Sequence, residues 1–491
     1  MDNKLEPLDE IKKCITDNDN FVLQGGAGSG KTEILKQTLE YLASIYPDKK
    51  IACITHTNLA VDEIKSRVGE GYTISTIHSF LNDCIKDYKK NLHEVIFELF
   101  RVNSMEREAI DNYADEKEQK AEEHKKYKKI YGKYASRLFA VQKSKAAKVE
   151  GKRDYDKDSV RYNELLNSKI NELNSKILTQ IKDKESNQIK YNDTRFNSFR
   201  DFTYGHDGLL DISALLFERY PAIGKILQDK FDYIFIDEYQ DTNEKVIDIF
   251  LNKFPNKDKI LIGLFGDSMQ AIYGDGIGDV DAYVDDAILK RINKEDNYRC
   301  SEQVVKFINN LRDDNLKQEV AFKKNEDGSD ETLSERQGSV EFYYSYSIEK
   351  PPSKSTPEEK QEYKGNYIKA LDHLISKSLN GEKNYRQLKL TNKSIAFDAG
   401  FEVLYNVFNE RFTDNKEAMD NDLAVLQLTD LFELCNAYKP HSDSGLSPDY
   451  NLVLYKLKKQ GVGIKNIADK KEIKNKFDTV INSELSLFET L

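Results

Sequence analysis

A glycine-rich stretch that ends in lysine and threonine is the clearest chemical signal in this 491-residue chain. Residues 21–32 read F-V-L-Q-G-G-A-G-S-G-K-T, so an apolar run at 21–23 leads into the glycine-rich stretch. A helical apolar pattern follows at 33–46. A strand, a glycine-rich loop and a helix form the setting of a phosphate-binding loop, whose backbone N–H groups cradle phosphate oxygens. The alternative is a glycine-rich turn before an ordinary helix. The pattern therefore predicts an ATP or GTP site formed by Gly25, Gly26, Ala27, Gly28, Ser29, Gly30, Lys31 and Thr32.

Two carboxylates later in the chain complete the chemistry that such a loop needs. Lys31 is predicted to reach the β- and γ-phosphates, and Thr32 to bind Mg²⁺. The motif F-D-Y-I-F-I-D-E-Y-Q-D-T places Asp237 and Glu238 at the end of a hydrophobic strand. Asp237 suits the second Mg²⁺ ligand, and Glu238 suits the general base that polarises an attacking water. Asp-Glu pairs are also common in turns, but their position after a buried strand favours hydrolysis.

Two further polar motifs follow predicted strands. The stretch L-I-G-L-F-G-D-S-M-Q suggests that Gln270 senses the γ-phosphate, although a helix cap and a surface amide are the alternative for Asp267 and Gln270. In the stretch N-Y-R-C-S, Tyr298 offers a stacking ring and Arg299 a cation that could bind the γ-phosphate and offset transition-state charge. For His78 and His206, we expect structural roles and not catalytic ones. These motifs extend the predicted catalytic set to Lys31, Asp237, Glu238, Gln270 and Arg299.

The elements that must position these residues alternate between strand and helix, which predicts an α/β fold with a parallel sheet. Helical spacing of Leu166, Ile170, Leu173, Ile177 and Ile181 predicts one long helix, and 118–148 predicts another. We expect a flexible tip at 151–158, a mobile loop at 349–363 and a mostly helical region at 402–491. Strands are predicted at 21–23, 51–55, 233–236, 260–265, 339–344 and 387–391.

Charge is distributed unevenly along the chain. The whole chain carries a net charge of −11, but residues 125–200 hold 20 Lys plus Arg against 9 Asp plus Glu, a net of +11. A basic segment in an acidic chain is a candidate surface for nucleic-acid phosphates, and a solvated lysine-rich hairpin is the alternative. Five scattered cysteines, no apolar run of membrane length and a polar N-terminal region predict a cytoplasmic protein with no membrane partner.

Taken together, the motifs resemble those of superfamily 1 DNA helicases of the UvrD/Rep/PcrA type. G-A-G-S-G-K-T is similar to motif I, T-H-T-N-L-A and T-I-H-S-F to motifs Ia and Ib, and D-E-Y-Q-D-T to motif II. G-D-S-M-Q-A-I-Y-G is similar to motif III and N-Y-R-C-S to motif IV, while L-K-L-T-N-K-S-I-A resembles a strand of the second motor domain. The resemblance implies RecA-like P-loop motor domains with helical insertions, ATP and Mg²⁺ as cofactors, and DNA as partner.

The resemblance also assigns regions and contacts. It implies a first motor domain at 1–91 and 205–296, a basic helical insertion at 92–204, a partial second motor domain at 297–411 and the start of another helical insertion at 412–491. Tyr298 would stack on adenine. The basic insertion would touch duplex DNA next to the single strand. Residues expected to lie near DNA are Thr55, His56, Asn58, His78 and Tyr273.

Three functions remain open from the sequence. The first is an ATP-dependent 3′-to-5′ DNA helicase or translocase in repair or anti-phage defence. The second is a nucleotide- and DNA-sensing regulatory ATPase with a nuclease partner, resembling the helicase-like subunit of Gabija-type defence systems. It is motivated by the lack of any stretch like motif V or VI, which fits either a front part of a longer protein or a degenerate second motor. A kinase or GTPase with an unrelated P-loop is the remote third.

Overall fold

A computed structural model provides the fold. It describes residues 5–69, 71–106, 115–192, 194, 196–256, 259–272, 274–324, 329, 331–344, 349–352, 355–379, 385, 386, 388, 391–403, 405, 406, 428–439, 448–459, 461–464 and 466–481. The chain divides into two compact units, residues 1–386 and residues 387–491. No helix within the described residues is long and apolar enough to cross a membrane.

The helices and strands alternate through the first unit, as the sequence predicts. The strands are β1 (Phe21–Gly25), β2 (Ile51–Thr55), β3 (Thr73–Thr76), β4 (Lys190–Tyr191), β5 (Thr203–Tyr204), β6 (Tyr233–Asp237), β7 (Leu261–Gly266), β8 (Lys290–Lys294), β9 (Asp296–Asn297) and β10 (Glu319–Val320). The helices up to the sixth are α1 (Pro7–Asp17), α2 (Lys31–Ile45), α3 (Asn58–Val68), α4 (Ile77–Ile85), α5 (Lys89–Phe100) and α6 (Glu116–Gln142). The later ones are α7 (Lys152–Lys157), α8 (Ser159–Lys182), α9 (His206–Arg219), α10 (Pro221–Lys230), α11 (Glu244–Asn252), α12 (Asp281–Asp285), α13 (Glu302–Leu311), α14 (Pro357–Leu379), α15 (Asn392–Asp398), α16 (Leu428–Tyr438), α17 (Tyr450–Lys459) and α18 (Ile467–Ile481).

A six-stranded parallel sheet forms the centre of the first unit, in the order β3-β2-β6-β7-β1-β8. Strands β1, β2, β6 and β7 are buried along their whole length. Alternate side chains enter separate hydrophobic clusters: Val22 packs in one, and Phe21 and Leu23 in the other. This explains why these strands read as continuous apolar runs, since helices cover both faces of a parallel sheet.

The sheet order brings the polar motifs to one edge. Strand β1 lies between β7 and β8, and β7 also pairs with β6. In the register, Asp237 is opposite Phe265 and Gln24 is opposite Gly266, so the three carboxyl ends are level. Ligands of open α/β sheets bind at this edge, where the loops that follow the strands meet.

The basic insertion is helical, with one correction. The predicted apolar stripe of α8 is buried, from Leu166 to Ile181. Asn167 and Asn174 of this helix bind the backbone of Met105 and Val102 through both amide atoms, which fixes the preceding segment. The expected flexible tip at 151–158 is wrong, because α7 lies there and buries Tyr155 at 1% exposure.

The region after α13 departs most from the predictions. Residues 339–344 form no strand, and α14 begins inside the loop predicted at 349–363. The strand predicted at 387–391 lies largely outside the described residues. Where the second unit is described, it is helical, with a small core built from Leu434, Val453 and Phe477.

Candidate nucleotide site

The glycine-rich loop links β1 to α2 and has the conformation of a phosphate cradle. Gly28 and Gly30 have φ angles of 82° and 83°, in the left-handed region that favours glycine. Helix α2 begins at Lys31, so its first free N–H groups face the loop. The Lys31 ammonium, on a side chain that is almost buried, donates to the carbonyl oxygen of Gly25 at 3.0 Å. The lysine is therefore held against the loop it is predicted to serve.

A buried hydroxyl within the loop fits a ligand that carries many oxygens. The hydroxyl of Ser29 is buried and has no hydrogen-bond partner among the described residues. Unpaired buried hydroxyls are costly, so a ligand or water that reaches them is favoured. Within the described residues, no cluster of three acidic, histidine or cysteine side chains could hold a metal by itself.

Asp237 ends β6 and is nearly buried, at 6% exposure. Burial, and after it the charge of Glu238, raise the pKa of Asp237 from 3.8 to about 7, although the Lys31 ammonium acts in the opposite direction. A cation at this position would favour the ionised carboxylate. The geometry and the electrostatics thus fit the predicted metal ligand.

We expect Asp237→Asn to stabilise the metal-free protein at pH 8. The folded-state pKa is raised, so the folded protein binds one more proton than the unfolded chain between about pH 4 and pH 7. The free energy of unfolding of the wild type therefore falls as pH rises through that window. The variant does not show this fall, because asparagine does not titrate. Urea unfolding in EDTA should show a gain of roughly 1–3 kcal/mol at pH 8 that disappears at pH 4. A variant less stable than wild type at pH 8 would contradict this account.

Glu238 follows in the left-handed conformation, with φ 52° and ψ 51°. Its carboxylate accepts a hydrogen bond of 2.8 Å from the Gln240 side-chain amide. The Gln240 side-chain oxygen in turn accepts from the backbone N–H of Asp267 at 3.0 Å. The predicted base is half-buried and tethered to the turn after β7, so its orientation depends on that turn.

The turn after β7 carries the predicted sensor Gln270. Its side-chain amide donates to the Asp267 carboxylate at 2.8 Å. Asp267, at 1% exposure, also forms a two-point ion pair with Arg312, at 2.8 and 3.2 Å. Asp267 is therefore more than a helix cap.

The Tyr298–Arg299 turn docks directly on the phosphate loop. The Asn297 side chain donates to the Ala27 carbonyl at 2.9 Å and accepts from the backbone of Arg299 at 3.0 Å. The backbone N–H of Tyr298 donates to the Gly28 carbonyl at 2.8 Å. An added Cβ on Gly28 would lie 2.6 Å from the Arg299 Cβ, so this close approach itself requires glycine. Sequence reasoning singled out Tyr298 and Arg299 but missed the anchoring role of Asn297.

A cleft of about 870 Å³ opens between the phosphate loop, this turn and helix α1. Tyr298 and the exposed side chain of Arg299 line it, as predicted for a nucleotide pocket. Lys294 lines it as well: it is buried at 5% exposure, 2.7 Å from the Asp296 carboxylate and 5.5 Å from the centre of the Tyr298 ring. Sequence reasoning missed Lys294, which has no local signal because a lysine at the end of a strand usually points into solvent.

The predicted DNA contacts are only partly grouped by the structure. Thr55 ends β2 and is buried at 1% exposure, whereas His56 and Asn58 follow it toward the surface. The His78 ring, near the start of α4, lies 4.4 Å from the His206 ring. Tyr273 lies outside the described residues. The contacts of all five with DNA stay predictions.

A parallel sheet with a phosphate loop after the inner strand β1 and acidic turns after β6 and β7 defines a P-loop nucleotide-binding fold. The profile of the UvrD/REP helicase N-terminal domain matches residues 9–287, more than half of the chain. The chain belongs to the UvrD/REP helicase family. The predicted family and the predicted RecA-like α/β class are thereby confirmed, whereas the domain boundaries and the individual residue roles stay predictions.

Two relatives are similar over long stretches. The Gabija protein GajB of Bacillus cereus is 31% identical over 462 residues, covering 85% of this chain and 63% of GajB. The ATP-dependent DNA helicase PcrA of Staphylococcus epidermidis is 26% identical over 309 residues, covering 59% of this chain and 37% of PcrA. The chain thus spans less than two thirds of the length of each. The Pif1 helicase structure from Candida albicans is a distant match, at 13% identity and a TM-score of 0.26 over 64% of this chain and 45% of that chain.

Proposed function

We propose that this chain hydrolyses ATP at the β–γ bond and couples hydrolysis to movement on single-stranded DNA, in DNA repair or anti-phage defence. The convergence of four nucleotide motifs on one edge of one sheet carries the proposal. Membership of the UvrD/REP family supports it. The similarity to PcrA, an ATP-dependent DNA helicase, supports the activity, and the similarity to a Gabija protein supports the defence setting.

The residues of the site divide the reaction among them. The Lys31 ammonium exchanges its bond to Gly25 for bonds to the β- and γ-phosphates. Glu238 takes a proton from the attacking water, and Arg299 offsets charge that develops on the γ-phosphate. Thr32 and Asp237 would hold Mg²⁺, which when bound neutralises charge on the β- and γ-phosphate oxygens.

The cleft beside the phosphate loop suits the base and ribose of the nucleotide. Tyr298 offers a ring face to adenine, while Lys294 and Asp296 place a charged pair beside that ring. Gln270 links the γ-phosphate to the turn that follows β7. ATP-driven closure of a second motor domain within 297–411 completes the proposed cycle.

The DNA path is proposed to run over the ends of β2 and β3 toward the basic insertion. His56 and Asn58 follow β2, and His78 follows β3 at the same edge of the sheet. Phosphate contacts from the insertion would be independent of sequence and sensitive to salt. We further propose a cytoplasmic protein that works with a nuclease partner if its setting is anti-phage defence.

Charge reversal on helix α6 is expected to weaken DNA binding. Lys128, Lys129 and Lys133 are exposed on this helix. Replacing all three with glutamate should lower the affinity for a forked DNA about tenfold or more at 50 mM salt, and each lost contact should reduce the salt slope by about 0.7–0.9. Fluorescence anisotropy across a salt series measures both quantities.

A charge-matched control separates local contacts from net charge. Lys225 and Lys230 lie on α10, which leads into β6, and Lys259 precedes β7, so Lys230 and Lys259 are at the amino-terminal edge of the sheet. The triple glutamate variant of Lys225, Lys230 and Lys259 makes the same charge change away from the proposed DNA path. Equal losses in both triple variants would mean that net charge, not the insertion, controls binding.

Displacement of streptavidin from biotinylated single-stranded DNA tests the proposed motor. Wild-type protein with ATP should displace streptavidin from one end of the strand only, and Lys31→Ala should not. ATP hydrolysis without displacement, in the absence of a partner, would instead favour the regulatory ATPase. Supplying the partner nuclease and assaying DNA cleavage with and without ATP would then test that alternative.

A further inference from the structure

Arg312 is a buried arginine just after α13, outside every motif that predicted the site. Its side chain is 2% exposed, as is that of Asp267. The guanidinium donates to both carboxylate oxygens of Asp267, at 2.8 and 3.2 Å, and to both of Asp314, at 2.6 and 2.8 Å. Two-point arginine–carboxylate bonds fix orientation as well as distance.

Asp267 connects this arginine to the predicted sensor Gln270 and the predicted base Glu238. Its second carboxylate oxygen also accepts from the Gln270 amide at 2.8 Å. Its backbone N–H donates to Gln240, and the Gln240 amide donates to Glu238. Arg312 is thus three contacts from the predicted base and two from the predicted sensor.

Asp314 connects the same arginine to the strand that carries the phosphate loop. Its carboxylate accepts from the side-chain amide of Gln24 at 3.4 Å. The Gln24 amide also donates to the Ser268 hydroxyl at 2.7 Å, and its oxygen accepts from the Tyr239 hydroxyl at 2.5 Å. The network therefore joins the ends of β1, β6 and β7 around one guanidinium.

Without the guanidinium, the Asp267 carboxylate would be buried with no cation, and among the described contacts its remaining donors would be the Gln270 amide and the backbone N–H of Met269. A buried carboxylate in that state reorients toward water or takes up a proton. Either change alters the bond to Gln270 and moves the turn whose backbone holds Gln240. Catalytic groups act best when surrounding hydrogen bonds fix them before reaction.

We propose that Arg312 is a positioning residue for ATP hydrolysis, which it serves by holding Asp267 in the orientation that sets Gln270 and Glu238. The inference rests on the proposed ATPase function. Arg312 does not touch the nucleotide cleft, so its loss acts on turnover and leaves nucleotide affinity nearly unchanged.

Two substitutions and one control test this role. Arg312→Met removes the charge and the donors, and Arg312→Lys keeps the charge but cannot bond both oxygens in one plane. Arg291→Met is the control, because Arg291 is on β8 of the same sheet and pairs with the exposed Asp281. Circular dichroism verifies folding, and rates are normalised to nucleotide sites titrated with a fluorescent ATP analogue.

The first readout is steady-state ATPase. Arg312→Met should lower kcat by about 10²-fold, the loss typical of misplaced catalytic groups, with KM for ATP within about threefold of wild type. The kcat of Arg312→Lys should lie between those of Arg312→Met and wild type, and the kcat of Arg291→Met should match wild type. Unchanged kcat in both Arg312 variants, or a loss that disappears after normalisation, overturns the proposal.

The second readout does not need turnover. Hydrogen exchange of a peptide covering 266–272 should be at least about tenfold faster in Arg312→Met and Arg312→Lys than in Arg291→Met, because the Asp267 amide loses its fixed acceptor. If wild type hydrolyses no ATP, the proposed function fails, but this exchange still decides whether Arg312 holds Asp267. Unchanged exchange overturns the proposal, and if Arg312→Met does not fold, Arg312→Lys alone decides.

Discussion

Replacing Glu238 with glutamine is expected to slow ATP hydrolysis by about 10³-fold while Mg²⁺–ATP still binds. Glutamine cannot take a proton from water at neutral pH, but its side-chain oxygen can still accept the bond from Gln240. The residue has a left-handed backbone at φ 52°, which glutamine adopts at the same cost as glutamate. The substitution therefore removes the proton acceptor and preserves the turn.

Single-turnover hydrolysis and binding of a fluorescent ATP analogue measure the two effects separately. Glu244→Gln is the matched control, since Glu244 is an exposed glutamate at the start of α11, six residues further along the chain. We expect the control to match wild type. A loss below about tenfold in Glu238→Gln would show that another group activates the water.

Arg299→Met is expected to lower kcat by about 10³–10⁵-fold, the range for a cation that meets charge on a transferring phosphoryl group. The Arg299 side chain is exposed in the cleft, while its backbone is fixed by Asn297. The anchor to Ala27 and Gly28 does not involve the guanidinium. The turn should thus remain docked on the phosphate loop, and the loss of kcat should come from the chemical step.

The control for this variant is Lys306→Met, which removes a positive charge from an exposed position on α13, the helix that follows the turn. Both variants should unfold within a few degrees of wild type. Steady-state ATPase should fall in Arg299→Met alone. A normal rate in that variant would exclude Arg299 from the transition state and would direct the search to Lys294.

The phosphate loop and the acidic turns could be predicted because their signals are local. Lys31, Asp237 and Glu238 sit at fixed offsets from apolar runs, and a parallel sheet aligns the ends of its strands. The family resemblance added the order of the motifs. Together these features predict, from the sequence alone, which edge of the sheet carries the chemistry.

The supporting residues could not be predicted in this way. Arg312 lies 45 residues from Asp267 in the chain, and the contact exists only because α13 ends against the turn after β7. Lys294 is buried although it lines the cleft, which Tyr298 also lines. Tertiary contacts create both environments, and neither residue has a spacing that distinguishes it from a surface lysine or arginine.

One missed helix did have a local signal. The Thr356 hydroxyl accepts from the backbone N–H of Glu359, and the backbone N–H of Thr356 donates to the Glu359 carboxylate, which is the reciprocal pattern of a capping box. Pro357 stands at the first helical position, where proline is favoured. The abundance of Pro, Lys and Glu at 349–363 indicated a loop, but T-P-E-E marks the start of α14.

The most direct test of the central claim is the ATPase rate of the purified chain, measured with and without single-stranded DNA and alongside Lys31→Ala. The account predicts a rate that rises several-fold with DNA and vanishes in the variant, because the Lys31 ammonium is bonded to the phosphate loop at the Gly25 carbonyl and is predicted to bind the β- and γ-phosphates. ATP binding with no turnover at any DNA concentration, or turnover that survives Lys31→Ala, would contradict it.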